Sequence, residues 1–300
     1  MSASHRILAG GTIGLLALLL IGCSAVKDIV PEKVTTEQAT KVLQTAKALR
    51  NSFADITDEE EYYIGRSVAA LILSKYPVYQ NEPWTRYINL IGTAVAAYSS
   101  RPETYAGYHF LILDSAEINA LAAPGGFVFI TKGLLAVCRD EEMLAAVLAH
   151  EVGHVAGKHG LQAIKQSRLM DVFKTLGSEA VAAYTPAQLS QLTDLFQGAL
   201  SDIAGQLIEK GYDRKLEYEA DAYSVKFSRA TGYNPNGLDE FLQGLAKESS
   251  AQGVKGWFKT HPTPGQRLDK VRQQIAGLGS VPKKEAIRTQ RFKAALALLK

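Results

Sequence analysis

The chemistry-bearing residues of this chain concentrate in one stretch, Ala149-His150-Glu151-Val152-Gly153-His154. Its spacing is HExxH, a metal-hydrolase pattern. On a helix, residues four apart lie on one face, one turn above the other. His150 and His154 can therefore hold one metal ion from the same side. Glu151 follows the first histidine and points near the ion's open position, where it can take a proton from a coordinated water. Zinc lowers the pKa of such a water to about 7, which makes hydrolysis feasible at neutral pH. With six histidines in 300 residues, chance would produce this pattern at roughly the one-percent level or below. The preceding residues also suit a helix. Asp140-Glu141-Glu142 offer a cap and an acidic first turn, and Met143 to Leu148 are apolar or strong helix formers.

A catalytic zinc needs a third protein ligand and one open position. His159 is close in sequence. Five residues past His154, an unbroken helix turns it about 140° away from the metal face, so it is set aside as a ligand. The other candidates lie in Glu217-Tyr218-Glu219-Ala220-Asp221. Glu217 and Asp221 share a helix face, whereas Glu219 sits about 200° from Glu217 and should face elsewhere. One carboxylate of the pair can bind metal, and the other can accept the free ring N–H of a ligand histidine and hold its tautomer. Further on, Thr260-His261-Pro262-Thr263-Pro264-Gly265-Gln266 reads as a loop feeding a helix. Thr263 suits the cap, Pro264 the first position and Gln266 the completion of a capping box. His261 is then either an ordinary loop residue or a functional imidazole. It could donate to a developing oxyanion or fill the open metal position.

These groups need elements to position them. A capping box at Thr57-Asp58-Glu59-Glu60 opens a helix running to about Lys75, stopped by Tyr76-Pro77. A second helix spans about Pro83 to Tyr98, with Trp84, Tyr87, Ile88, Ile91 and Val95 as its core stripe. Tyr108–Leu113 and Phe127–Thr131 read as strands. Between them, Asn119-Ala120-Leu121-Ala122-Ala123 leads into the turn signal Pro124-Gly125-Gly126. This segment is either a plain hairpin loop or an edge strand along which a peptide backbone adds itself to the sheet. Residues 161–205 are amphipathic and helical in pattern, without a role the sequence decides.

Composition bounds the rest. The apolar fraction of 47% supports a substantial core. A formal charge of +3 with scattered positive residues gives no footprint for nucleic acid. Residues 1–22 have a short positive start and an apolar run from Ile7 to Ile21, the pattern of a signal peptide rather than of a span of about 20 residues. The run closes Leu20-Ile21-Gly22-Cys23, which resembles a bacterial lipobox with Cys23 as the lipidated residue. Acyl chains there would anchor the chain to a membrane. Ser24 follows, with no aspartate to resemble an inner-membrane retention signal, which favours the outer membrane. Residues 23–55 read as a tether and 56–300 as the catalytic domain. With Cys23 acylated, Cys138 is left without a cysteine to pair with, and it sits among apolar neighbours, as a buried structural residue would.

HEVGH, the downstream Glu217–Asp221 pair, Ala122-Ala123-Pro124-Gly125-Gly126 with Gly133-Leu134-Leu135 after it, and Thr260-His261-Pro262 stand in an order that resembles the gluzincin family of CAAX prenyl endopeptidases and the bacterial membrane heat-shock protease. The resemblance is greatest to its periplasmic lipoprotein branch and covers about residues 58–275. It implies an α+β, mainly helical, zincin-like fold with a small sheet beside the HExxH helix. It implies one Zn2+ per chain held by His150, His154 and Glu217, with Glu151 as base, Asp221 behind the ligands and His261 as a gate. The expected activity is endopeptidase cleavage of misfolded or unassembled envelope proteins, with the peptide along Asn119–Ala123. The competing expectation is a chaperone or assembly factor for outer-membrane proteins with little cleavage. Glu151, which a pure binding module does not need, favours the enzyme.

Overall fold

The computed structural model describes residues 57–165, 186–247, 257, 260–261 and 263–299. The leader, Cys23, the tether, Pro262 and the middle of 161–205 lie outside the described residues. In chain order the described elements are α1 (Asp58–Lys75), α2 (Glu82–Ala97), β1 (His109–Leu113), β2 (Ala120–Ala123), a 3-10 turn (Pro124–Gly126), β3 (Phe127–Thr131), α3 (Lys132–Val137), α4 (Glu141–Ala156), α5 (His159–Lys165), α6 (Pro186–Glu209), α7 (Arg214–Thr231), α8 (Asn236–Lys247), α9 (Pro264–Gly277) and α10 (Ala286–Leu296). No helix among the described residues is long and apolar enough to cross a membrane.

α4 is the axis of the molecule. Every residue from Glu141 to Val155 is buried, the mark of a helix enclosed on all sides rather than laid on a surface. α7, α8 and α2 pack around it. Asp140 caps it by accepting from the Met143 N–H at 2.9 Å. The main core gathers Trp84, Ile88, Phe110, Ile130, Leu144, Leu148, Phe241 and Trp257 around it. Cys138 is a free, buried thiol in this core, and burial pushes its pKa well up.

The sheet has the order β1-β3-β2. β1 runs parallel to β3, and β2 runs antiparallel to it with Ala120 opposite Ile130 and Ala123 opposite Phe127. The Asn119–Ala123 segment is thus mostly strand, at a sheet edge, and turns back through Pro124-Gly125-Gly126. Gly65 makes room for that turn: a Cβ there would lie 1.8 Å from the Pro124 carbonyl oxygen. Glu61 secures it further, accepting from the Gly125 N–H at 3.0 Å and from Arg101 at 3.0 Å. The Thr57 capping box forms as expected. The one at Thr263 does not. Thr263 precedes α9 without a side-chain cap bond, and the Gln266 amide oxygen accepts from the Tyr218 hydroxyl at 2.8 Å, tying α9 to α7.

Candidate metal centre

α4 places His150 and His154 with their Nε2 atoms 3.1 Å apart. α7 crosses it and brings Glu217, whose carboxylate oxygens lie 3.6 Å from His150 Nε2 and 3.4 Å from His154 Nε2. Gly153 permits the crossing, since a Cβ there would meet Tyr223 and the Ala220 backbone. His261 arrives from the segment before α9. One donor atom from each of His150, His154, Glu217 and His261 lies within 4.8 Å of all the others. Glu151 stands at the rim of this group, its Oε1 3.7 Å from His261 Nε2. All these residues are at most 4% exposed.

Behind the four, Asp221 Oδ1 is 3.1 Å from His150 Nδ1. Its two oxygens also accept from Arg267 Nε and Nη2 at 2.9 and 2.7 Å. Glu219, two residues along α7, points away from the four donor atoms and toward His159, 3.6 Å from its Nε2.

The electrostatics suit a cation. Glu151, Glu217 and Asp221 supply three buried carboxylates against the one guanidinium of Arg267. With neutral imidazoles, two negative charges remain, the charge of one divalent ion. Both Glu217 oxygens and Glu151 Oε1 are buried without a hydrogen-bond partner, which is costly unless something positive meets them. Burial pushes the Glu217 carboxyl up, yet His261, His150 and His154 outweigh it and hold it well below the usual carboxylate range. Glu151 is held low against burial by His261, His150 and His154. Burial lowers His150, but Asp221 and Glu217 overcome it and raise its pKa to about 9. Two imidazoles and a carboxylate at this spacing are a zinc-type donor set, so the residues present fit a single divalent metal.

Tyr212 and His261 line a small cavity against β2 beside Glu151. The Tyr212 ring stacks on His154 at 4.1 Å between centroids and 17° between planes. Its hydroxyl donates to the Ala122 carbonyl at 2.7 Å, on the outer edge of β2. Burial and the charges of Glu151 and Glu217 keep this phenol neutral. His261 stacks on Trp257 at 3.9 Å. Its Nδ1 lies 2.9 Å from Thr260 Oγ1, and the Thr260 hydroxyl donates to Asn119 Oδ1 at 2.8 Å. With the hydroxyl proton directed at Asn119 or at the Trp257 carbonyl, 3.3 Å away, the matching tautomer has His261 Nδ1 donating to Thr260 and a lone pair on Nε2.

Arg267, Tyr212, Trp257 and Thr260 were not singled out by sequence reasoning for roles at this site. Arg267 follows Gln266 directly, where a cation just past a functional loop could have been noticed. Tyr212 carries no periodic signal. His159 is the instructive case. It is absent from the group of four, but not because of an unbroken helix. α4 ends at Ala156, Lys158 adopts φ 52° and a new helix begins at His159. The break swings the ring back, so that His159 Nδ1 lies 2.9 Å from His154 Nδ1.

The family model described as Peptidase family M48 matches residues 84–275. A beta-barrel assembly-enhancing protease of Yersinia pestis is 28% identical over 226 residues, 74% of this chain and 45% of that protein. The mitochondrial metalloendopeptidase OMA1 of Schizosaccharomyces pombe is 26% identical, covering 75% of this chain and 64% of its own. The metalloprotease LoiP of Escherichia coli is 27% identical over 171 residues, 57% of this chain and 64% of its own. The chain spans about half the length of the assembly-enhancing proteases it matches. The family match takes in the HExxH helix, the Glu217 helix and the His261 segment alike, and on that extent the chain belongs to Peptidase family M48.

Proposed function

We propose that the chain is a zinc-dependent endopeptidase of the bacterial envelope, with His150, His154 and Glu217 as metal ligands and Glu151 as general base. The observation that carries this reading is the buried meeting of the four donor atoms with the Glu151 carboxylate at their rim. The bound ion would supply Lewis acidity and a water of lowered pKa. The chain's own part is the proton and the pose. Glu151, kept ionised, takes a proton from the attacking water and passes it to the leaving amine nitrogen. Asp221 holds His150 Nδ1, leaving Nε2 for the metal. The outward backbone groups of Ala120–Ala123, continuing from Asn119, align an extended peptide as a further strand. The small side chains of Ala120, Ala122 and Ala123 favour its approach.

His261 is read as a gate. Its Nε2 lone pair faces the metal position, so it can act as a fourth ligand and leave no open site. A lone pair turned inward does not donate to an oxyanion, which disfavours that alternative. Tyr212 covers the same ground from the β2 side. On this reading both shift to admit a peptide.

Residues 1–22 as a leader, Cys23 as a lipidated anchor, 23–55 as a tether and 56–300 as the catalytic domain complete the proposal. The outer membrane is the proposed location and misfolded or unassembled proteins are the proposed substrates. The names of the assembly-enhancing relatives support this direction. His261 close to the ligand set also suits an assembly factor that rarely cleaves, the second reading. One experiment separates them. Purified protein and its Glu151→Gln variant are compared for bound zinc and for casein cleavage with and without a chelator. Zinc in both and chelator-sensitive cleavage in the wild type alone support the enzyme. Equal cleavage by the variant refutes the mechanism.

A further inference from the structure

Each ligand histidine of a metal site needs its second ring nitrogen held, so that the first keeps a lone pair for the ion. His150 has Asp221 for this purpose. His154 has no carboxylate in reach of its Nδ1. Its neighbour is His159 Nδ1 at 2.9 Å, in a pocket that leaves His159 fully buried.

We infer that His159 is a positioning residue for the metal, the acceptor that fixes His154 in the Nδ1–H tautomer, with Glu219 as the outer end of the chain. The protons follow from the contacts. Metal binding through Nε2 requires His154 to carry its proton on Nδ1. That N–H donates to His159 Nδ1, which must then be bare. His159 is left with its proton on Nε2, which is buried without a hydrogen-bond partner and lies 3.6 Å from Glu219 Oε2, the nearest carboxylate.

The backbone is shaped for this placement. Lys158 is the one non-glycine residue with positive φ among the described residues, a strained conformation for a side chain that size. Gly157 lies against the imidazole, and a Cβ there would come within 2.4 Å of His159 Nε2. A break needed only to end α4 would not require His159 to be packed this closely. α7 then serves both histidines. Within little more than one turn, Glu217 faces the metal position, Asp221 faces His150 and Glu219 lies on the side of His159.

The inference rests on the proposed metal site, and its test separates the two. Zinc affinity is measured by chelator competition on the full chain for wild type, His159→Asn and His159→Leu, alongside thermal unfolding of each metal-free protein. The Asn amide oxygen falls near the place of the imidazole Nδ1 and can accept from His154; Leu cannot. The Leu variant should bind zinc about 10–100-fold more weakly, and the Asn variant should recover most of that loss whatever their relative melting temperatures. Equal losses in both variants, or none in Leu, would overturn the inference while leaving the metal site standing. A wild type that binds no zinc would overturn both. Nitrogen-15 histidine spectra of the zinc-loaded wild type give an answer free of mutation. They should show His154 protonated at Nδ1 and His159 at Nε2, and a proton on His159 Nδ1 would end the idea.

Discussion

Replacing Arg267 with methionine tests how the site is held together. The side chain is wholly buried and makes two hydrogen bonds to Asp221. It also lies 3.6 Å from Glu217 and 5.8 Å from the Trp257 ring. Methionine preserves much of the volume but removes the charge and both donors. Asp221 is then left buried with His150 Nδ1 as its remaining partner. Removing one member of a buried ion pair costs about 3–5 kcal/mol. The lower end is expected at neutral pH in the metal-free protein. There His150, raised to about 9 by Asp221 and Glu217 against the effect of burial, is protonated and covers part of the exposed charge. For a domain of this size 1 kcal/mol shifts the melting temperature by about 2–4 °C. A drop of about 6–12 °C should therefore appear in thermal melts of metal-free protein. Arg267→Lys should recover only part of it, since an ammonium cannot reproduce the paired geometry. Zinc affinity should fall by about tenfold in the methionine variant, because Asp221 no longer holds His150 firmly. A melting temperature within about 2 °C of wild type would show that Arg267 fills space rather than neutralising the Asp221 and Glu217 carboxylates.

Gly65→Ala should destabilise although alanine is the better helix former. The new Cβ meets the Pro124 carbonyl oxygen at 1.8 Å, and overpacking of about 1–3 kcal/mol exceeds a propensity gain of about 0.5–1 kcal/mol; a raised denaturation midpoint would contradict the packing described. Glu141 accepts from Tyr87 and Tyr233 at 2.6 and 2.8 Å and pairs with Arg291. Although burial pushes its carboxyl up, these partners hold it below its ordinary value of 4.5. Its stabilisation is thus fully present above that pH and lost as pH falls through the lower folded value. Urea midpoints of Glu141→Gln should depend less on pH in this acid range than those of wild type, and parallel curves would refute the assignment. Tyr212→Phe removes the hydroxyl that competes for the Ala122 carbonyl. On the proposed substrate geometry KM should fall by about 2–10-fold, one net hydrogen bond of about 0.5–1.5 kcal/mol, and an unchanged KM would separate the peptide from that edge.

What could be read from the sequence is what local spacing decides. HExxH puts two imidazoles on one face whatever surrounds the helix. Thr57 and Glu60 form their capping box without help from the rest of the chain. The Glu217 and Asp221 geometry follows from helical period, as does the turning away of Glu219. The parts that stayed hidden join residues far apart in the chain. Arg267 meets Asp221 across 46 residues and Tyr212 meets Ala122 across 90, distances over which periodicity carries no information. The Gln266 half of the expected Thr263 box is likewise drawn off by a distant residue, Tyr218, 48 positions away. His159 shows a different limit. The angle assigned to it was right for a continuous helix, and the helix is not continuous. Gly157 was the available sign, a residue that commonly ends helices. Once α4 breaks there, a histidine excluded as a ligand becomes the neighbour of one. A continuous helix would have carried His159 away from both, and the break swings it to the back of His154. Helical period therefore separates residues that can share an ion from those that cannot, but the supporting residues are set by where the helix stops and by which distant element crosses it.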